Sequence, residues 1–286
     1  MIFSERFFRG WPLLVFGFMA SVVFAVLVFI LGHIILEGLP HLSWEFLTEN
    51  PEEGMRLGGI FPAIVGTALV TFVSGIAALP LGVATAIYLT EYAQDTWFTR
   101  AIKLAIRNLS GVPSIVYGLF GLALFIQIFK MRPGVLSAGM TLGLLTLPGI
   151  ITTSEEALKA VPKMFREGAW ALGATPWYSI RSVILPPALP GILTGVILGL
   201  ARAAGETAPI LFVGVSFYLP DLPKGAYDQF MALPYHLYVL ATQHQSIEEV
   251  RPLAYTASLV LVGLIMLMSG GVVFYRSRIR KRYRQW

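Results

Sequence analysis

The sequence contains no cysteine. That excludes disulfide staples, thiolate metal sites and a cysteine nucleophile. Charge is scarce as well. Asp, Glu, Lys and Arg make up 13% of the 286 residues, against about 25% in soluble domains. The four histidines, His33, His41, His236 and His244, are scattered and form no His-Glu-x-x-His pattern, so that zinc-hydrolase signature is missing. They read as interfacial or loop residues. No G-x-x-x-x-G-K-[ST] run occurs, so any ATP-driven work needs a nucleotide-binding subunit elsewhere. No short repeat or low-complexity segment stands out.

What the chain does have is apolar sequence in long blocks, 56% of its residues. About 20 apolar residues cross a bilayer core as a helix. The blocks predict an all-α integral membrane protein with about six transmembrane helices, at 12–36, 60–90, 106–129, 134–152, 188–218 and 253–275. A barrel would alternate in short segments instead. Gly111 and Pro113 interrupt the third block, and Lys130, Arg132 and Pro133 mark the turn to the fourth. Arg6 and Arg9 precede an apolar run from Leu13 to Leu31. That run is too long for a signal-peptide core and lacks a small-x-small cleavage site, so it reads as a retained first helix.

Basic residues set the orientation. With the N-terminus inside, fifteen Lys and Arg fall on cytoplasmic segments and five on outer ones, a positive-inside bias. The outer loops are acidic, with Glu45, Glu49, Glu52, Glu53, Asp221 and Asp228 among them. Both termini and the 153–187 loop then face the cytoplasm. The formal charge of +5 follows from these segments and needs no nucleic acid. The tail from Arg276 to Arg284 reads as a topology anchor near acidic lipid headgroups, with a regulatory contact as the alternative.

Within the long loop, Pro162 fits the first turn of a short helix and Gly173 its C-terminal end. Small residues at Gly168, Ala169 and Ala171 permit close approach by another surface, and Trp170 and Leu172 offer apolar anchors. Such a helix either docks a partner or packs on the protein's own helix ends. The physics divides evenly between the two.

A second constellation, Arg202-Ala203-Ala204-Gly205-Glu206-Thr207-Ala208-Pro209, interrupts the fifth apolar block. A charge at membrane depth costs at least about 2.5–3.5 kcal/mol on insertion scales. Arg202 and Glu206 are four apart and are expected to share a helix face. They either neutralise each other structurally or line a substrate path. Guanidinium suits an oxyanion. Near neutral pH phosphate still carries a P–OH proton that Glu206 can accept, whereas sulfate has none. Gly205 and Pro209 weaken the helix, and freed backbone at such a break can line a polar cavity. Asn108–Ser114 is a second break. It is either a plain helix entry turn or a source of hydroxyl donors such as Ser110.

The motifs point to a family. Glu167, Ala169, Gly173, Val183, Leu185 and Pro186 resemble the "EAA" signature of bacterial ABC importer permeases, with Gly168 and Val183 as conservative departures. Together with Thr153–Pro162, Pro190–Gly195, Ala201–Pro209 and Asn108–Tyr117, the stretch 60–275 resembles the PstA-type permeases of phosphate-specific transport systems. The resemblance implies a MetI-like permease core with an extra N-terminal helix. It implies a coupling helix at about 162–173, in which Glu167, Gly168, Ala169, Trp170, Leu172 and Gly173 meet an ATPase. The residues themselves give the candidate substrate path, Arg202, Glu206, Thr207 and Ser110. The expected division is 1–59 for the first helix and outer loop, 60–275 for the core and 276–286 for the tail. The implied partners are a PstC-like permease, a PstB-like ATPase dimer and a PstS-like phosphate-binding protein in the bacterial inner membrane. No cofactor is expected on this chain, with Mg-ATP used by the ATPase. The rivals are a permease for sulfate, molybdate or phosphonate, and an ion-coupled carrier using Arg202 and Glu206 as a proton relay.

Overall fold

The computed structural model describes residues 2–283. The described chain is mostly helical. Helix α1 spans Ile2–Gly38, and the short α2 (Trp44–Thr48) and a hairpin (β1 Pro51–Glu52, β2 Leu57–Gly58) follow. Then come α3 (Phe61–Ile87), α4 (Trp97–Leu109), α5 (Ser114–Gly121), α6 (Val135–Lys159), α7 (Lys163–Ala171), α8 (Pro176–Ser179), α9 (Leu185–Gly205), α10 (Leu233–Thr242) and α11 (Ile247–Tyr283). Wider π-turns extend α3 through Tyr92, α5 through Ile128 and α8 into α9. Five described helical segments are long and apolar enough to span a bilayer, or six if the bent pair α4–α5 counts as one span. The expectation of about six spans holds.

The expected boundaries change in four places. Residues 106–129 are not one helix. The chain turns by 106° between α4 and α5. Gly111 and Pro113 cause the break, because Pro113 has no N–H to continue the ladder. Helix α4 is a separate amphipathic element. Thr96 caps it by accepting from the Thr99 N–H at 3.2 Å. Arg100, Lys103 and Arg107 carry its charge, while Ile102 and Ile106 pack on the core. The fourth span runs to Lys159 rather than 152. The fifth runs from Pro176 and stops at Gly205 instead of 218. Helix α11 carries on past residue 275 to Tyr283. Arg284, the last member of the basic tail, lies outside the described residues.

Helices α3, α6 and α9 form the centre, and small residues bring them together. Gly139 and Gly143 of α6 face Val73 and Ala77 of α3. Gly191, Gly195 and Gly199 of α9 face Ala157, Thr153 and Ile150. A Cβ at Gly195 would run into the Thr153 side chain. This close approach follows the small-residue logic of membrane helix packing. Helix α1 stands outside the bundle with Leu14, Phe18 and Phe29 exposed. Its end is pinned to α11, where the buried Thr256 hydroxyl donates to the Gly38 carbonyl at 3.0 Å.

Candidate functional site

Helix α9 ends inside the membrane layer. Its glycine register against α6, carried six residues further, sets Gly205 level with the turn at Gly143. That is roughly 12 Å from the start of α6, at about 1.5 Å per residue, and α6 is 25 residues long. Glu206 is already extended, with ψ of 132°. Ala208 precedes Pro209, a position biased away from helix. The chain then returns through a short turn, Ile210–Phe212, to Gly214, which abuts Gly134. Its backbone groups are met by protein. Gly134 N–H donates to Val213 O at 3.0 Å, and Ser216 N–H donates to Phe230 O at 2.8 Å. Irregular backbone at this depth is tolerated only when so buried or when it lines a wet cavity.

The expected charged pair forms at that helix end. Arg202 Nε donates to Glu206 Oε1 at 3.1 Å. The two do not share a helix face as predicted, because the helix has ended before Glu206. The carboxylate instead folds back toward the arginine. Among the described residues nothing accepts from either Arg202 Nη group, and the side chain is 48% exposed while Glu206 is 18% exposed. The guanidinium fork therefore keeps both of its Nη groups unused.

The second break lies beside the first. Pro209 and Phe212 pack on Gly118 of α5, where a Cβ would sit 3.0 Å or less from them. Val112, Tyr117, Ala203 and Ile210 share one apolar cluster. The Tyr117 hydroxyl donates to the Leu109 carbonyl at 2.9 Å and lies within electrostatic reach of Arg202. It satisfies a carbonyl orphaned by the end of α4. Tyr117 thus links the two breaks, a role its sequence position does not advertise. Ser110 ends α4 and is exposed, and Thr207 is half-buried. Neither hydroxyl has a hydrogen-bond partner among the described residues.

At the α7 end of the bundle, Pro162 precedes the helix rather than sitting in its first turn. Gly173 closes it as expected, at φ +76°. Its N–H donates to Trp170 O at 2.9 Å and that of Ala174 to Ala169 O at 3.0 Å, the paired bonds of a left-handed glycine cap. Ala169 is buried, while Glu167, Gly168, Trp170 and Leu172 are exposed, Leu172 at 91%. A Cβ at Gly168 would meet nothing within 4 Å. Helix α7 therefore presents small and apolar groups outward while Ala169 faces in.

What holds α7 is a residue the sequence reading counted only as a loop charge. Arg166 donates to both oxygens of Glu91, at 2.8 and 3.1 Å, and to the carbonyls of Leu158 and Val161, at 2.8 and 2.7 Å. Its side chain is 14% exposed and that of Glu91 6%. Nearby, Glu155 pairs with Lys103 of α4 at 3.2 Å and Lys159 at 2.8 Å. At the opposite end, His236 is no interfacial residue. It lies buried in α10 at 3% exposure. Burial holds its imidazole down to about 4, and Nδ1 has no partner among the described residues.

Residues 78–281 match the family described as the binding-protein-dependent transport system inner membrane component. The chain belongs to this family. It is 37% identical over 212 residues to the phosphate transport system permease protein PstA of Yersinia pestis, covering 72% of this chain and 71% of that protein. It is 35% identical over 237 residues to the corresponding PstC of Haemophilus influenzae, covering 70% and 75%. In fold it resembles the MetNI methionine ABC transporter in an inward-facing crystal form. There the TM-score is 0.62 at 22% identity, over 76% of this chain and 94% of that one. The fold is the expected importer-permease core.

Proposed function

We propose that this chain is one of two membrane-spanning subunits of an ATP-driven importer of inorganic phosphate. The observation that carries the reading is the unused Arg202 fork at a helix end inside the membrane, beside a carboxylate, in a chain related to phosphate permeases. Two parallel N–H groups match two phosphate oxygens. The Glu206 carboxylate accepts a hydrogen bond from the remaining P–OH, and sulfate, which has no such proton, meets only repulsion. Ser110 and Thr207 offer hydroxyls on either side of the path.

The partners follow from the family. A homologous permease covers the open face at Arg202, a phosphate-binding protein delivers from outside, and a paired ATPase receives α7. ATP binding closes the ATPases and opens the permease pair outward; hydrolysis resets it. Mg-ATP is bound by the ATPase and not by this chain. The basic bias sets both termini and α7 in the cytoplasm. The exposed Trp170 and Leu172 are the anchors for docking, with Glu167, Gly168 and Gly173 shaping the contact.

The test is uptake of labelled phosphate into liposomes holding the purified complex, with sulfate and molybdate as competitors. ATP-dependent uptake that resists both and vanishes in Arg202→Ala is expected. Uptake driven by an ion gradient without ATP overturns the reading, and effective competition by sulfate moves the substrate to another oxyanion.

A further inference from the structure

We infer that the Arg166–Glu91 pair is the strut through which movement of α7 reaches the spanning helices, so that Glu91 is a positioning residue for coupled transport. The inference rests on the importer reading above.

The geometry is specific. Helix α7 is short, and its outward face is free. Arg166 is its main inward polar tie, spending four hydrogen bonds on two different neighbours. The carbonyls of Leu158 and Val161 belong to the end of α6 and the turn after it. The Glu91 carboxylate belongs to the π-turn Tyr88–Tyr92 that ends α3, where Ala93 N–H reaches back to Tyr88 O at 2.8 Å. Such wide turns in a helix often mark functional positions. A bidentate guanidinium–carboxylate pair fixes orientation as well as distance. A shift or rotation of α7 therefore cannot leave the ends of α3 and α6 behind.

From there the route to the helix break is continuous. Helix α6 meets α9 along Gly191, Gly195 and Gly199 at close approach, and meets α3 at Gly139 and Gly143. Packed contacts this close move together. Arg202 stands near the far end of that same α9. Docking needs only the outer face of α7, but transmission needs the inner tie. Removing the tie to α3 alone should separate the two.

Glu91→Gln reduces that tie to a single neutral hydrogen bond at most, while Arg166 keeps its two carbonyl acceptors. Arg166→Lys is the second variant, keeping the charge and losing the fork. In the assembled complex in liposomes, ATP hydrolysis and phosphate uptake are measured side by side, with ATPase co-purification as the assembly readout. The expected result is normal co-purification, retained hydrolysis and roughly a five- to tenfold rise in ATP spent per phosphate imported, a coupling loss of the size usual between linked sites. Arg166→Lys should show the same sign. An unchanged ratio in both variants overturns the strut. Loss of co-purification also overturns it, because the pair then only builds the docking surface. If the wild-type complex shows no ATP-driven phosphate uptake, the importer reading fails instead, and the control shows it.

Discussion

Two of the arginine–glutamate pairs among the described residues are opposites. Arg166 and Glu91 both have largely buried side chains, and the arginine spends its hydrogen bonds within the chain. Arg202 and Glu206 share a single bond at a helix end, with half of the arginine open. A saturated pair can hold parts together but has nothing left for a ligand. An unsaturated one contributes little to the fold and keeps donors in reserve. Residue type alone does not separate these cases; the count of unused donors does.

The comparison breaks most decisively on stability. Arg166→Ala leaves the Glu91 carboxylate buried without its cation, which typically costs about 3–5 kcal/mol. Arg202→Ala, at a half-open site, should cost under about 1 kcal/mol. Thermal unfolding of the two variants in the same detergent measures the difference. Equal losses would erase the distinction.

How much of this was legible beforehand follows the same line. Arg202 and Glu206 stand out in sequence because charge is rare in an apolar block. Arg166 sits among other charges in a polar loop, and its partner Glu91 is 75 residues away, so no local spacing reveals the pair. The α9 stop was half visible. Gly205 and Pro209 signalled a break, but the apolar residues after Pro209 carried the expected span on to 218. They are apolar because the returning segment packs into the core, where Ile210, Val213 and Phe230 are buried. Hydropathy cannot tell a spanning helix from a buried return. Helix α10 was missed for a similar reason, being short and mixed in composition. The α7 cap, by contrast, was legible because a left-handed turn strongly favours glycine at that position.

His236 sharpens the comparison from a third side, as a buried titratable group with no ion partner among the described residues. Its folded value is about 4, below the ordinary value near 6.5. Between those limits the unfolded chain binds the proton and the folded chain does not, so stability falls as pH drops from about 6.5 to about 4. The loss is on the order of 3 kcal/mol once pH is below both values. His236→Leu should flatten that part of the stability–pH curve. A slope that survives the substitution assigns it to other groups.

On transport, Arg202→Ala should lower ATP-dependent phosphate uptake on the order of a hundredfold, as two charge-assisted hydrogen bonds are lost. Arg202→Lys keeps the charge without the fork and should recover only part of it. Glu91→Gln, with its donor partner still in place, should leave the affinity for phosphate unaltered while spoiling the ATP ratio. Measuring KM beside the ratio separates substrate contact from coupling.

The smallest expected effect is the most selective one. Glu206→Gln removes a negative charge next to Arg202 while keeping an acceptor oxygen and adding an N–H donor. The phosphate P–OH can still donate a hydrogen bond to the amide oxygen, so uptake should fall by only a few-fold, about 1 kcal/mol. Sulfate, freed from carboxylate repulsion and offered a new donor, should gain. The readout is the ratio of phosphate uptake with excess sulfate to uptake without it, which should fall in the variant although both substrates still cross. If the ratio is unchanged, Glu206 serves only to hold Arg202 in place. The open pair would then choose its anion by the guanidinium alone, and the difference between the two pairs would lie in exposure rather than in chemistry.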